Sequence, residues 1–306
     1  MANLREIKKR INSVQATRQI TRTMEMVSTA KIRRALERAE QAAPYKDAIK
    51  LMLANVASAS VDVTQPLLLR HPEERSVLFV LIASDRGLAG GFNIMQERYV
   101  QHEMARLKAQ GIQCQLITCG KKPTEYFTYR GVEPIMSFVD MSSEPTMDEA
   151  DRIASYAMDG YSQGKLDRVT LVYQHAKNRV EQTQVIEDVL PLSTEDLLLP
   201  NKPRRAEAME HVGYETYTEF EFEPSATKVL GYLTPAYIRT VIYHALLDSA
   251  AAEHGARRRA MKSATDNANE VVTNLSRTYN KVRQGSITTE LNEIIGGASA
   301  LEDNNA

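Results

Sequence analysis

Cysteine is scarce in this chain of 306 residues: there are two, Cys114 and Cys119, five apart. In an extended segment that spacing points the side chains to opposite faces, a poor geometry for a disulfide. Without a cysteine framework a reducing compartment is expected. The six histidines make no HExxH pair, and none stands with a cysteine at a zinc-binding spacing, so no metal centre is expected. Long hydrophobic runs are missing too. No stretch reaches the ~18 apolar residues of a membrane-spanning helix. The start, MANLREIKKRINSV, lacks the apolar core of a signal peptide, so any membrane association would run through a partner. The formal net charge of −1 removes a global electrostatic case for nucleic acid. No pair of carboxylates sits in an identifiable apolar context, so neither catalytic residues nor a cofactor are expected.

Glycine and proline are absent from Asn3 to Ala43, and the hydrophobic pattern there is helical. Steps of three and four connect Leu4, Ile7, Ile11, Val14, Arg18, Thr21, Glu25, Ser28, Ile32, Ala35, Ala39 and Ala42, a heptad seam with a polar middle. Across that middle the apolar stripe slips to Ile20, Met24 and Val27. Such a helix would be about 60 Å long. Pro44 is expected to kink it, since Ile49, Leu53 and Val56 keep the spacing. The C-terminal segment mirrors it. From Pro235 to Ile295 only Gly255 and Gly285 interrupt a stripe through Ile238, Ile242, Ala245, Ser249, Ala252 and Ala256. The stripe continues through Ala264, Ala268, Val271, Leu275, Thr278 and Val282 to Ile287, Leu291 and Ile294. Rods of this length must bury their stripes on each other or on another protein. Antiparallel pairing matches large residues near the chain ends (Ile7 opposite Leu291) and small ones at the far ends (Ala35 and Ala39 opposite Ala252 and Ala256).

Between the rods the pattern changes. Ser76–Ala83 is a continuous apolar run, read as a strand buried on both faces. Gln113–Thr118 and Arg168–Gln174 read as further strands. They alternate with helices near Ile94–Ala109, Lys122–Tyr129 and Met147–Gln163, a small α/β domain. Glu181–Val189 and Tyr214–Phe222 are candidate edge strands, and Pro191–Val212 an exposed loop. The segment SDRGLAGGFN, Ser84–Asn93, stands between strand and helix, where phosphate loops occur. Its glycines, Gly87, Gly90 and Gly91, fit neither GxGxxG nor a Walker loop, so a tight turn is the plainer reading. From Arg5 to Arg38 ten basic residues stand against three acids. That surplus suits nucleic acid, an acidic protein surface or plain solvation. The interleaved aromatics of a single-strand binder are absent from Met1 to Pro44. A nucleotide-binding α/β protein and a basic coiled-coil nucleic-acid binder therefore remain as alternatives to a mechanical, non-enzymatic part.

Four blocks occur in order: IKKRINSVQATRQITRTMEMVSTAKIRRA, SDRGLAGGFN, MKSATDNA and YNKVRQGSITTELNEIIGGASA. Together they resemble the gamma subunit family of F-type ATP synthases, the bacterial members especially, over essentially the full length. Ala89 stands where many members carry cysteine, and the regulatory cysteine insert of chloroplast forms is absent. The resemblance implies a long antiparallel two-helix coiled coil with an inserted Rossmann-like α/β domain. Its expected divisions are a shaft helix over 1–60, an α/β domain over 74–190, a loop and possible edge strand over 191–224, and a second shaft helix over 225–296 ending at Gly296-Gly297. It implies a rotor on the cytoplasmic face of the membrane, with alpha, beta, epsilon and c-ring subunits as partners. It implies ring contacts at Met24, Arg86, Arg283, Gln284 and Thr288, and more loosely at Lys31 and Arg34. The polar seam at Arg18, Thr21, Glu25 and Ser28 suggests a shaft surface that a surrounding ring grips weakly.

Overall fold

The computed structural model describes residues 4–59, 65–178, 181–192, 222–223 and 225–303. The expected loop over Pro191–Val212 and edge strand over Tyr214–Phe222 lie, apart from Pro191, Leu192 and Phe222, outside the described residues. Two helices dominate the chain: α1, Leu4–Ala59, and α5, Ala226–Asp303. α1 continues through Pro44. The ring removes one backbone donor there, but Ile49, Leu53 and Val56 are buried just beyond and hold the next turns in place. α5 likewise contains Pro235, flanked by buried Leu230, Tyr237 and Ile238. The expected stop at Gly296-Gly297 is not used, since helix continues to Asp303. Gly296 keeps a negative φ rather than the left-handed turn that ends a helix at glycine.

Contacts divide the chain into two compact units, one of Met1–Ser28 with Arg258–Ala306, the other of Thr29–Arg257. In the first, the two helices pair through Thr21 Oγ1 and Thr265 Oγ1, 2.8 Å apart. Arg18 also donates to Asn269 Oδ1 at 3.2 Å. All twelve seam positions of α1 are buried or half-buried, so the seam itself does not slip. It is the stripe of Ile20 and Val27 that lies off it. Two expectations are corrected. On α5 the seam runs through Met261, Thr265, Ala268, Val272 and Tyr279, with Ala264 half-buried, while Val271 and Thr278 are exposed. The pairing of Ile7 with Leu291 also fails. The Thr21–Thr265 contact places residue 4 opposite about residue 282, so Ile287, Leu291 and Ile294 lie past the start of α1 and are exposed. The sequence pairing had matched residue sizes, but the hydroxyl pair fixes a different register.

The second unit carries a five-stranded sheet: β1, Ser76–Ile82; β2, Gln113–Cys119; β3, Met136–Phe138; β4, Arg168–Ala176; β5, Gln182–Leu190. The order is β3-β2-β1-β4-β5, parallel except for β5, which pairs antiparallel with β4. This is the Rossmann-like order of a βαβ fold with an antiparallel edge. Helices α2, Phe92–Ala109, and α3, Lys121–Thr128, cover one face, where Phe79, Leu81 and Leu116 meet Val100, Leu107 and Phe127. Helix α4, Met147–Ser162, covers the other together with the ends of α1 and α5, burying Leu78, Val80 and Leu171 against Ile153, Leu53 and Ile242. Burial on both faces explains why β1 has no alternation. Cys114 and Cys119 lie on one strand, belong to opposite faces and are free thiols. Where α1 and α5 approach each other within this unit the residues are small: Ala35, Ala251, Ala252 and Ala256 form one cluster with Ala83, Ala89 and Ala176. Gly255, an interruption in the sequence pattern, is a close-packing point, for a side chain there would run into Gln182 and Ile32.

Candidate partner-binding surfaces

The exposed face of α1 in the paired-helix unit carries aliphatic side chains among its polar ones. Ile20 is 61% and Val27 52% exposed, while Met24 is half-buried. Ala16, Gln19, Ile20, Thr23 and Met24 line a shallow concavity of about 460 Å³ on one helix face. The polar residues expected to present a slippery surface, Thr21 and Ser28, are buried in the seam instead. Thr21 Oγ1 also contacts its own helix at the Arg18 carbonyl, 2.9 Å away. The polarity of an ordinary coiled coil is thus inverted over this stretch, with hydroxyls inside and aliphatic side chains outside. Arg283, Gln284 and Thr288 are exposed on the part of α5 that extends past α1. Thr288 donates to the Gln284 carbonyl at 2.9 Å, which leaves its methyl and the acceptor side of its hydroxyl oxygen for a partner. The register keeps Met24 apart from these three.

Arg86 belongs to the second unit, in the loop Ser84–Gly91, and is exposed, as are Lys31 and Arg34. That loop is tied down from within. Ser84 Oγ shares its one proton between the Arg86 carbonyl at 2.7 Å and Asn93 Oδ1 at 2.8 Å. The Asp85 carboxylate accepts from the backbone amides of Lys121 (2.8 Å), Asp140 (2.9 Å) and Ser142 (2.9 Å). These amides, at strand ends, are the donors a phosphate would seek; Asp85 takes them and places a negative charge there. The geometry therefore favours the tight turn over the phosphate loop. Gly120, at φ 113°, permits the close approach, because a Cβ there would lie 2.7 Å from the Ala83 carbonyl oxygen. From α5, Arg257 donates to the carbonyls of Arg86 (3.3 Å) and Gly87 (3.4 Å) while pairing with Glu253 at 2.7 Å.

These internal braces were not found from the sequence. Asp248, Glu253, His254 and Arg257 are all buried. Asp248 binds the His175 ring and accepts the Ala176 amide at 3.0 Å, fastening α5 to the end of β4. Burial pushes the Glu253 carboxyl up, opposed by Arg257. Burial, with Arg257 and Lys31 nearby, pulls the His254 imidazole down to about 4. The available signal was charge inside the alanine-rich stretch LLDSAAAEHGARRR, since charges in a buried face need partners. Elsewhere, Glu97 on α2 lines a cleft of about 350 Å³ with Lys122, Tyr126 and Arg130. It is 4% exposed, and burial lifts its carboxyl to about 7. Among the described residues no group of three histidine, cysteine or acidic side chains is placed to hold a metal.

An antiparallel helix pair with an outward apolar stripe, joined in one chain to an α/β unit with an internally braced loop, defines a coiled-coil protein with an inserted α/β domain. The model of the ATP synthase family matches residues 3–301. ATP synthase gamma chains of Xylella fastidiosa (strain M12) and Stenotrophomonas maltophilia (strain R551-3) are 36% and 37% identical, each over 98% of this chain and 100% of the relative. The chain belongs to the ATP synthase gamma chain family. Among solved structures, the central stalk and c-ring structure of Tetrahymena thermophila mitochondrial ATP synthase includes a similar chain, at 25% identity and a TM-score of 0.55, over 80% of this chain and 99% of that one. A chain of Euglena gracilis mitochondrial ATP synthase shares the fold, with a TM-score of 0.65 at 19% identity over 99% and 96%. No helix among the described residues is long and apolar enough to cross a membrane.

Proposed function

We propose that this central-stalk gamma chain is a rotor shaft that carries no catalytic site of its own. It couples proton flow through a membrane c-ring to conformational change in a ring of alpha and beta subunits. The observation that carries this reading is the inverted polarity of the helix pair. Thr21 and Thr265 meet inside, and Ile20 and Val27 are offered outside with Met24 half-buried between them. Exposed aliphatic stripes of this kind mark protein contact. In this role Met24, Arg283, Gln284 and Thr288 meet the ring from the helix pair, and Arg86 meets an acidic loop of a beta subunit. The α/β unit meets epsilon and the c-ring, which keeps the chain peripheral, on the cytoplasmic face. The shaft drives catalysis by contacting each beta conformation with a different free energy, since only a differential contact shifts an equilibrium. Expression with alpha and beta subunits tests the reading: the three should co-purify. Equilibrium dialysis of the chain with ATP should show no tight binding. Tight ATP binding by the chain alone, with no co-purification, overturns it.

A further inference from the structure

The cleft between α2 and α3 has no part in the rotor reading, and its lining is chemically specific. Glu97 lines it while only 4% exposed. No hydrogen bond from another described residue reaches the Glu97 carboxyl, and its oxygens are not sealed off, so they open into the cleft. The polar groups around it are mostly donors. The Ser84 amide meets the Asn93 side chain at 3.0 Å. An amide N–H only donates, so the atom it meets is the oxygen, and the NH2 group of Asn93 is the end left for the cleft. The Arg130 guanidinium lies 3.6 Å above the Tyr126 ring and gives one N–H to the Tyr126 carbonyl at 3.1 Å. Its other N–H groups remain for a ligand. Lys122 holds the Glu125 carboxylate at 2.8 Å. Ile94 and the rings of Tyr126 and Tyr129 supply apolar wall. Beneath the two helices lie Phe79, Leu81 and Leu116.

Burial lifts the Glu97 carboxyl to about 7, against the pull of Arg130 and Lys122, so it keeps its proton up to neutrality. In that form the lining sets Lys122 and Arg130 against Glu125, a net charge of one positive. A cation would find no free carboxylate there, and a dianion would leave the cleft overcharged. A single negative charge balances it. We propose that this cleft binds a small organic monocarboxylate. Its carboxylate takes N–H groups from Arg130, Lys122 and Asn93 and the O–H of Glu97, a charge-assisted bond. Its apolar part lies on Ile94 and Tyr129. The volume of about 350 Å³ suits a small organic ligand. Ionised Glu97 repels the same anion, so binding carries a proton with it. The proposal stands apart from the rotor reading.

The test titrates the full chain with benzoate, followed by ligand-observed NMR and calorimetry. Near pH 6 the Kd should be on the order of 1 mM. Near pH 8.5 binding should be roughly thirtyfold weaker, because only the fraction with Glu97 protonated is competent. Calorimetry near pH 8, in buffers of different ionisation heat, should show about one proton taken up per benzoate bound. Glu97→Gln is neutral at every pH and still donates. It should bind benzoate near pH 8.5 as tightly as near pH 6. Arg130→Gln should weaken binding roughly tenfold or more at both, with an unchanged melting temperature. Benzylamine, a cation of similar shape, should not bind. Absence of saturable benzoate binding up to about 20 mM near pH 6 overturns the proposal. So do a pH dependence that survives in Glu97→Gln, benzylamine binding as tightly as benzoate, and inorganic phosphate displacing benzoate at lower concentration.

Discussion

At the scale of single residues, the chain's consequential side chains are those in the wrong medium. Glu97 is a carboxyl with little access to water, and burial, opposed by Arg130 and Lys122, lifts it from 4.5 to about 7. The folded state therefore keeps a proton that the unfolded chain gives up, so stability falls as pH rises from about 4.5 to about 7. Glu97→Gln removes that slope. The variant should match the unaltered chain near pH 4 and exceed it by about 2 kcal/mol at pH 8, read from urea unfolding at the two pH values. Equal stability at pH 8 would sink this account. Gly120 is the backbone counterpart. Its φ of 113° and its contact with the Ala83 carbonyl leave no space for a methyl group, so Gly120→Ala should cost about 2–4 kcal/mol in the same experiment. Neither was legible in the sequence. A glutamate in a helix and a glycine after a strand are common, and only the neighbours brought in by folding make them special.

At the scale of elements, the heptad of α1 was legible at all twelve positions, because a 3.5-residue period survives any polar residue placed on it. The continuous apolar run of β1 was legible for a similar reason, since burial on both faces removes the alternation. The register between α1 and α5 was not. Periodicity says which face is buried but not which residue lies opposite, and matching large with large set the pairing wrongly at the chain ends. A pair of cysteines decides the matter. Thr21→Cys with Thr265→Cys should oxidise readily to a disulfide, because the side-chain oxygens stand 2.8 Å apart. Ile7→Cys with Leu291→Cys should stay reduced. Non-reducing electrophoresis distinguishes the two, and a disulfide in the second pair alone would restore the pairing by size.

At the scale of the whole molecule, the aliphatic stripe of Ile20 and Val27 on the paired helices is exposed among the described residues. Met24→Lys puts a charge at the half-buried edge of that stripe. In the assembled complex it should lower proton pumping several-fold more than ATP hydrolysis; an equal loss of both would point instead to a fault in assembly or folding. By itself the sequence determined that two long helices exist, which faces they bury, that the insert alternates strand and helix, and which family the four blocks resemble. These follow from local periodicity and short motifs, which chain neighbours alone can express. Tertiary structure decided the rest. It set the register through the Thr21–Thr265 pair, turned Asp85 inward, and closed Arg257 on the loop's carbonyls. Each of these depends on residues far apart in the chain, whose meeting depends on packing and hydrogen-bond satisfaction across the fold, and no local pattern encodes that.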